Sequence, residues 1–506
     1  MFIRQKKNKS GSISVQIISN YKGHYKVIKT MGSSMEAQQV VKLIEQGKQE
    51  IKKIEGQQSL FVHEKDAWIE GFVSNLSNQQ IRSIGPELIV GRIYDFIGYN
   101  KVNQDLLRHL VIARLAFPLS KLKTIEYLYR YQGVMLDVDA VYRFLDRLNE
   151  QLKGHVEQIS YAYTKQTLKG KLSIVFYDLT TLYFEASDED DLRQIGFNKD
   201  GKHSNPQIHL GLLVGLGGYA IGYDIFEGST FEGHTLIPML QKMSTKFDLG
   251  KPIIVADAGL LNTPNIADLE KENYEYILGA RLKNESVSIK EKIIQSERNK
   301  EGVCVIEKGK LKLIVQYSEK RAKKDFHNRE KGLKRLEKQI RSGKITKNNI
   351  NNRGYNKYLK MDGTISVSID QEKFEQDKQW DGLKGYVTNC KLTPTEVIEN
   401  YRNLWHVEKA FRVSKTDLRI RPIYHRLQRR IEAHICVSFV AYTIYKELER
   451  VLKLEKYPLS VEKAMEITHT MYQVEVTLPQ SQHTKKILLQ MDKNQSLLKK
   501  IINQYF

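Results

Sequence analysis

Short alternations of apolar and polar residues open the chain. Apolar residues alternate with polar ones over 13–17, and the turn-forming segment Asn-Tyr-Lys-Gly separates them from a second β-prone run. This period-two pattern predicts a β-hairpin over residues 12–30. A helical apolar stripe then predicts a helix at about 34–54, and the polar stretch 55–84 is predicted to be a linker.

The next segment has helical periodicity throughout. Apolar residues recur at helical spacing in three stretches between about 86 and 170, and Pro118 ends the first of them. A compact helical bundle rich in Arg and Lys is a common DNA-reading module, and it is also a common way to build a domain. We therefore predict a helical DNA-binding region at 85–170, without a designated recognition helix.

From residue 171 the pattern becomes that of an α/β protein. A β-rich run ends at Asp178, two strands follow around the glycine turn 215–218, and the apolar run 252–256 ends at Asp257. Three antiparallel strands followed by two helix–strand alternations are the chain order of a ribonuclease H-like core, a mixed sheet with helices on both faces. The G-x-G-x-x-A motif at 215–220 does not indicate a dinucleotide-binding site, because the pattern that follows it predicts a strand rather than the helix that such a site requires.

The alternation stops between 285 and 390, where short strands surround one strongly basic helix at 320–341. This helix could follow a phosphate backbone, and its seven-residue apolar repeat equally suits a short coiled hairpin. Helices are then predicted at about 394–415 and 427–452. The resulting predicted partition is 1–84, 85–170, 171–284 (first part of the core), 285–390 (β-rich insertion), 391–452 (second part of the core) and 453–506 (C-terminal tail).

The charge balance favours a polyanionic partner. The 506 residues include 80 Lys and Arg against 59 Asp and Glu, a formal net charge of +21. Such an excess raises affinity for nucleic acid. No apolar run is long enough to span a bilayer, and the N-terminus lacks the apolar stretch of a secretion signal. Three cysteines far apart in sequence form neither a zinc-finger pair nor a disulfide framework, which fits a reducing cytoplasm.

Two aspartates are the first candidates for chemistry. Asp178 and Asp257 are each the first acidic residue after an apolar strand. In a ribonuclease H-like sheet these two strands are neighbours, so their carboxylates converge. Phosphodiester transfer commonly uses two divalent cations, which prefer carboxylate oxygens. Either aspartate alone is better explained as a loop or cap residue, but the paired placement favours a metal site.

A third acid is predicted on the helix at 394–415. At about 100° per residue, one narrow helical face carries five residues: Tyr401, Leu404, Glu408, Arg412 and Lys415. A carboxylate followed by two cations suits a metal ion next to phosphates. Glu399 lies on the opposite face of the helix, so it is a poorer candidate than Glu408 for the third metal ligand. We therefore predict that Asp178, Asp257 and Glu408 are the catalytic metal ligands.

Together these motifs resemble the DDE transposases of bacterial insertion sequences. The resemblance spans about 171–450, and the helix resembles the Tyr-x2-Arg-x3-Glu-x6-Lys signature of one branch of that family. It implies a ribonuclease H-like fold with a β-rich insertion, dependence on two Mg²⁺ ions (with Mn²⁺ as a substitute), DNA end cleavage and strand transfer. It also implies a homodimer in the active complex and phosphate contacts from Tyr401 and Lys415.

Some features depart from the family pattern or stay open. The signature arginine falls on Leu404, and Arg402 and Arg412 are the alternatives for its role in phosphate binding. Trp380 is a candidate for stacking on a flipped base, although a packed core tryptophan is the more common situation. His434 fits a buried structural histidine better than an active-site group. Three further histidines show no metal-ligand spacing: His203, His209 and His234.

The sequence thus predicts a cytoplasmic, nucleoid-associated transposase that acts on terminal inverted repeats and target DNA. Three alternatives remain. One is a ribonuclease H-like nuclease without strand transfer, which a joining assay separates. The others are a catalytically silent DNA-binding protein derived from a transposase and a structural basic scaffold, neither of which shows metal-dependent nicking.

Overall fold

The computed structural model describes most of the chain, in fourteen stretches: 1–21, 23–56, 69–71, 73–74, 76–170, 172–186, 188–196, 204–260, 263–296, 302–345, 349–351, 354–362, 366–478 and 481–506. Much of the predicted linker at 55–84, Lys22 of the predicted turn, Lys171 and His203 lie outside these residues. The chain divides into two compact units, 1–80 with 476–482, and 81–475 with 483–506.

The N-terminal unit is a three-stranded antiparallel sheet with one helix packed on it. The hairpin has β2 (Ile13–Tyr21) and β3 (His24–Ser34), and α1 (Ala37–Gly56) follows. A third strand, β1 (Phe2–Lys7), pairs with β2 and was not predicted. Five of its six residues are exposed, so this edge strand carries too few apolar residues to produce an alternating pattern.

The second unit is built on an eight-stranded mixed sheet with the order β10-β11-β14-β9-β8-β5-β6-β7. Five neighbouring strands form the part of the sheet that ends at the edge strand β7: β5 (Ile174–Tyr183), β6 (Gln207–Val214), β7 (Ala220–Glu227), β8 (Ile253–Ala256) and β9 (Tyr276–Ala280). Strands β5, β6 and β7 pair antiparallel, while β8 lies parallel to both β5 and β9. The fold is therefore a mixed α/β fold.

Helices cover both faces of this sheet. Alternate side chains of β5 enter different cores, with Val175 and Tyr177 on one side and Phe176 on the other. The first face is covered by α7 (Leu236–Phe247), α8 (Thr263–Lys271) and α9 (Val287–Gln295). The second is covered by α13 (Trp405–Thr416) and α14 (Gln428–Leu454). All eight residues of β6 are buried.

The segment between the core and the linker is helical, as its periodicity indicated. It contains five α-helices: α2 (Arg92–Ile97), α3 (Asp105–Ala116), α4 (Lys121–Tyr127), α5 (Val138–Arg147) and α6 (Lys153–Thr167). Most of their buried apolar residues share one hydrophobic core with α14, while Ala113 and Tyr127 belong to a small separate cluster. These helices are therefore mainly packed onto the sheet-bearing unit.

The strands at 285–390 mostly extend the central sheet, where the sequence suggested an insertion of its own. Strands β10 (Val303–Lys308), β11 (Leu311–Tyr317) and β14 (Leu383–Thr388) continue it beyond β9. Local periodicity predicts strands but not their partners, and β14 pairs with a strand about a hundred residues earlier. The remaining elements form a small subdomain: α10 (Glu319–Arg341), β12 (Leu359–Asp362), β13 (Ser366–Ile369) and α11 (Gln371–Gln376).

The basic helix α10 is anchored on this small subdomain. Leu336 packs with Tyr358, Leu359 and Phe374 in a separate apolar cluster, and Leu333 and Ile340 contact its edge. The seven-residue repeat is therefore explained by packing on short strands rather than by a coiled hairpin.

The predicted C-terminal tail is an ordered part of the second unit. It forms α15 (Val461–Thr468), β15 (Tyr472–Thr477), β16 (Thr484–Leu488) and α16 (Lys493–Tyr505). Residues of α15 and α16 are buried in the core that contains α14, and β15 pairs with β4 (Ile81–Ser83). Across the described ranges, no helix combines the length and apolarity needed to cross a membrane.

Candidate active site

Two of the three predicted carboxylates are brought together by strand register. Strands β5 and β8 pair in parallel up to Phe176 opposite Val255, and the same register, continued for two residues beyond the last pair, would set Asp178 opposite Asp257. Neighbouring strands lie about 4.8 Å apart. Each carboxylate accepts a backbone hydrogen bond. The Leu179 N–H donates to Asp178 Oδ1 and the Gly259 N–H donates to Asp257 Oδ1, each at 2.8 Å.

The third carboxylate lies on a helix that differs from the predicted one. Residues 394–415 form two helices, α12 (Pro394–Arg402) and α13, with tighter turns at Asn403 and Leu404. The single continuous face drawn through Tyr401, Leu404 and Glu408 is therefore wrong. Leu404 and Tyr401 are buried, whereas Glu408 is exposed on the first turn of α13, which packs against β5.

The charges of all three predicted ligands act on the hydroxyl group of Tyr401. Burial raises the pKa of the Tyr401 hydroxyl, and the charges of Asp257, Glu408 and Asp178 raise it further. The hydroxyl lies over Gly279 of β9, where a Cβ atom would overlap it. A phenol that is this resistant to ionisation stays protonated at neutral pH and acts as a hydrogen-bond donor. All three acids thus act electrostatically on one buried side chain.

The three carboxylates do not form one tight coordination group. Within the part of the chain that the structure describes, no set of three or more His, Cys, Asp or Glu side chains is arranged to hold a metal ion. The chemistry of the two aspartates, which are hard oxygen donors on adjacent strands, fits a divalent cation such as Mg²⁺. Glu408 lies beside this pair rather than within it.

Basic side chains from β14 and α10 surround Tyr401. The Lys384 ammonium lies 4.4 Å from the centre of the Tyr401 ring, and burial and the charge of Arg321 lower the pKa of Lys384 while Glu408 raises it. These groups border a cleft of about 410 Å³, which is also lined by Trp380 and Gly279. Trp380 packs partly against the core, and it also faces the cleft.

The other predicted phosphate contacts are spread along α12 and α13. Arg402 and Arg412 are exposed, and Lys415 is half-buried near the end of α13. Burial raises the pKa of Tyr386 and lowers that of Lys384, and the positive charge of Arg402 acts on both groups, so this arginine lies on the same side as the cleft. Leu404, at the signature arginine position, is packed in the core.

Three of the histidines weighed from the sequence make contacts within the fold. His434 is buried, and its Nε2 lies 2.9 Å from the Ile420 carbonyl oxygen. His209 is buried beside Thr181, and His234 packs edge-on against Phe231.

A family comparison covers the same region. The family model described as Transposase DDE domain matches residues 169–444, more than half of the chain. The chain belongs to the DDE transposase family. The matched stretch contains the three predicted carboxylates, Tyr401 and Lys415, whereas the N-terminal unit lies outside it.

Solved transposase structures show weaker similarity. A piggyBac transposase synaptic complex with hairpin DNA is 10% identical, with a TM-score of 0.38, covering 76% of this chain and 78% of that one. The Mos1 transposase paired-end complex with the left transposon end is 15% identical, with a TM-score of 0.16, covering 31% and 53%. TM-scores this low do not establish a shared fold. No curated protein matches the chain.

Sequence reasoning missed three residues that line the cleft beside Tyr401: Lys384, Arg321 and Gly279. A single lysine in a strand and a single arginine in a basic helix give no local signal of chemistry. Gly279 gives none either, because its role is to leave space for Tyr401, which is more than a hundred residues away.

Proposed function

We propose that the protein is a transposase that binds the ends of its insertion sequence, cleaves DNA with two divalent metal ions and joins the freed 3′ ends to target DNA. The observation that carries this proposal is the parallel register between β5 and β8, whose continuation by two residues would bring Asp178 and Asp257 opposite each other, within the segment that matches the transposase family. Asp178, Asp257 and Glu408 would hold the ions, Mg²⁺ with Mn²⁺ as a substitute.

We propose that the core is ribonuclease H-like. The strand order β7-β6-β5-β8-β9, with two antiparallel and two parallel pairings, supports this assignment, as do the helices on both faces. Asp178 lies in the middle of β5 and Asp257 directly follows β8, so two segments that are far apart in the chain each contribute a carboxylate to this part of the sheet.

The bound ions would activate the attacking oxygen and stabilise the leaving oxygen. The protein's own groups position the DNA. Protonated Tyr401 donates to a phosphate oxygen, while Lys384 and Arg321 offset the phosphate charge from the other side of the cleft. No covalent protein–DNA bond is required, because the carboxylates act as ligands rather than nucleophiles.

Within the branch that carries the Tyr-Arg-Glu-Lys signature, the chain supplies Tyr401, Glu408 and Lys415. We assign the role of the missing arginine to Arg402, because its charge acts on Lys384 and Tyr386 beside the cleft. Arg412, one turn beyond Glu408, is the second phosphate-binding candidate on the exposed side of α13. Trp380 is proposed to stack on a base that enters the cleft.

We propose that the N-terminal sheet binds the terminal repeats, in addition to the helical region first predicted for this role. Residues 1–34 contain no acidic residue, and their basic residues are Arg4, Lys6, Lys7, Lys9, Lys22, Lys26 and Lys29. The helix α1 packs against the sheet and leaves most of β1 and β3 exposed. A two- or three-stranded ribbon can enter the DNA major groove.

Two copies are proposed to act together, because each transposition event cuts two ends. A homodimer in the active complex, associated with the nucleoid, follows from this proposal.

The experiment is a cleavage and joining assay on a supercoiled plasmid that carries the element's ends, with Mg²⁺ or with chelator. Wild-type protein should nick and join only with the metal present. Asp178→Ala, Asp257→Ala and Glu408→Ala should each abolish nicking while DNA binding persists, and Glu399→Ala, an exposed acid on α12, should behave as wild type.

Each outcome separates the alternatives. Nicking without joining of a 3′-hydroxyl end indicates a nuclease, and binding without metal-dependent nicking indicates a silent DNA-binding protein. Wild-type cleavage by any one of the three variants removes that residue from the site.

A further inference from the structure

A second charged cavity lies near the C-terminal end of α13, and it shares no lining residue with the candidate active site. It has a volume of about 420 Å³ and is formed by the α3–α4 connection, the loop that follows α13, and α14. Four basic side chains line its buried part: Arg114, Lys121, His425 and His434. They are only 5%, 6%, 9% and 5% exposed, respectively.

The two buried cations have no carboxylate partner among the residues that the structure describes. The Arg114 guanidinium donates to the carbonyl oxygens of Leu418 and Arg419, at 3.4 and 3.3 Å. The Lys121 ammonium contacts only His434 Nδ1, at 3.5 Å. Since His434 Nε2 faces a carbonyl oxygen, the proton lies on Nε2 and Nδ1 is left to accept from Lys121.

The closest acid that acts on this cluster is already paired. The Asp146 carboxylate accepts hydrogen bonds from Arg429 and Arg430 at 2.8–2.9 Å, and its charge raises the pKa of His425 only as a minor effect. Burial and the charge of Lys121 lower the pKa of His425 to about 3. Burial and the charge of Arg114 lower the pKa of Lys121.

A buried cation without a counter-charge is unfavourable. Burial lowers the pKa of Arg114 to about 10, so Arg114 keeps its charge at neutral pH, and an anion in the cavity would offset that charge and favour the protonated form of Lys121. Two further guanidinium groups, Arg419 and Arg421, line the same cavity. Its rim carries the exposed side chains of Tyr424 and Leu122, at 69% and 58% exposure.

We propose that this cavity binds a phosphate group. Convergent donors from three parts of the chain suit a tetrahedral oxyanion, which accepts several charge-assisted hydrogen bonds at once. The exposed tyrosine at the rim suits a nucleotide attached to that phosphate. The phosphate belongs either to a DNA strand or to a free phosphate compound, and the site does not depend on the metal chemistry.

The test measures thermal unfolding of the full-length protein in potassium phosphate and in potassium chloride of equal ionic strength. Phosphate should raise the Tm of wild-type protein by about 2 °C or more at concentrations well above its Kd. Lys121→Met should remove most of this rise. Lys123→Met, an exposed residue on the same helix that pairs with Glu126, should keep it.

Arg419→Met, at the exposed part of the cavity wall, is the second variant and should weaken phosphate binding in isothermal titration even if Lys121→Met fails to fold. Equal wild-type Tm values in phosphate and chloride would overturn the proposal, and so would an unchanged phosphate response in both variants.

Measurements of oligonucleotide binding identify the source of the phosphate. If it belongs to DNA, Lys121→Met or Arg419→Met should lower the affinity for a single-stranded oligonucleotide, and inorganic phosphate should compete with that oligonucleotide. If it is a free compound, phosphate and nucleoside monophosphate should bind while oligonucleotide affinity stays unchanged. Both binding measurements should also be made with protein that carries Asp257→Asn. Phosphate binding should persist in that variant, which separates this site from the proposed DNA cleavage.

Discussion

The N-terminal sheet and the central sheet of this protein differ in how their charged residues are distributed. The three-stranded N-terminal sheet is wholly basic in its charged residues, and most of β1 and β3 is exposed. The central sheet is covered on both faces, and its two candidate catalytic acids stand at the ends of buried runs in β5 and β8. An exposed basic surface suits binding of a long polyanion, whereas carboxylates in a covered sheet suit a localised cation.

This contrast indicates how binding and chemistry are divided. Residues that bind DNA through charge can lie on an exposed, weakly apolar sheet, because the contacts are individually modest and additive. Residues that share a metal ion must be fixed within a fraction of an ångström, which requires packed strands and a fixed register. The two activities should therefore be separable by substitution.

The largest expected effect concerns the central sheet. Asp257→Asn keeps the shape of the side chain but removes a metal-binding charge, so the cleavage rate should fall at least about a hundredfold, since even outer-shell partners of metal ligands contribute 10–100-fold. Cleavage of labelled end DNA under single-turnover conditions measures this. DNA affinity should stay within about twofold of wild type, and a parallel loss of binding would contradict the division of roles.

The next effect concerns the N-terminal sheet. The double substitution Arg4→Ala with Lys6→Ala removes two exposed charges from β1, and it should lower DNA affinity and reduce the slope of log Kd against log salt by about one per lost phosphate contact. Fluorescence anisotropy across a salt series measures both quantities.

The matched control is Lys42→Ala with Lys48→Ala, which removes two exposed charges from α1 instead. Affinity that falls equally in both double variants would show that only net charge matters, not the sheet.

A smaller effect should follow from Gly279→Ala in β9. The added Cβ would overlap the Tyr401 hydroxyl and come within 3.0 Å of the Ala258 backbone nitrogen, so Tyr401 must move away from the carboxylates. We expect cleavage to slow by about tenfold, since misplacement of about 1 Å can cost up to a hundredfold. Gly154→Ala, where a Cβ meets nothing within 4 Å, is the control. Equal rates in the two variants would remove Tyr401 from the proposed chemistry.

The smallest effect concerns the attachment of the helix that carries Glu408. Glu449 on α14 forms ion pairs with Lys409 of α13, with Lys446 and with Lys453. Burial opposes ionisation of Glu449, but the hydrogen bonds from Lys409 and Lys446 outweigh it and lower the pKa of its carboxyl group to about 2.

This depressed pKa fixes the sign of the pH dependence. The carboxylate contributes stability above its unfolded pKa of about 4.3, and the contribution is lost as the pH falls towards 2. Glu449→Gln should lower the Tm by about 2 °C at pH 7 and should flatten its decline between about pH 4.3 and 2. A variant whose Tm matches wild type at pH 7 would show that the network contributes no net stability.

The sequence by itself determined the local elements and the family to which residues 169–444 belong. Period-two and helical patterns predicted the hairpin, the helical segment and the core strands, because burial of one face leaves a periodic signal. Asp178 and Asp257 are candidate ligands from the sequence because each follows an apolar run. Tyr401 and Glu408 are candidates from the family signature, although the signature did not predict the helix break at 403–404.

Only the tertiary structure decided which distant segments pair. It joined β14 to β9, buried the C-terminal helices in the core, and brought Lys384, Arg321 and Gly279 to Tyr401. It also gathered Arg114, Lys121, His425 and His434 around one cavity. The physical reason is that periodicity records which face of an element is buried, whereas the partner is selected by packing and hydrogen bonding across hundreds of residues, which leave no local trace.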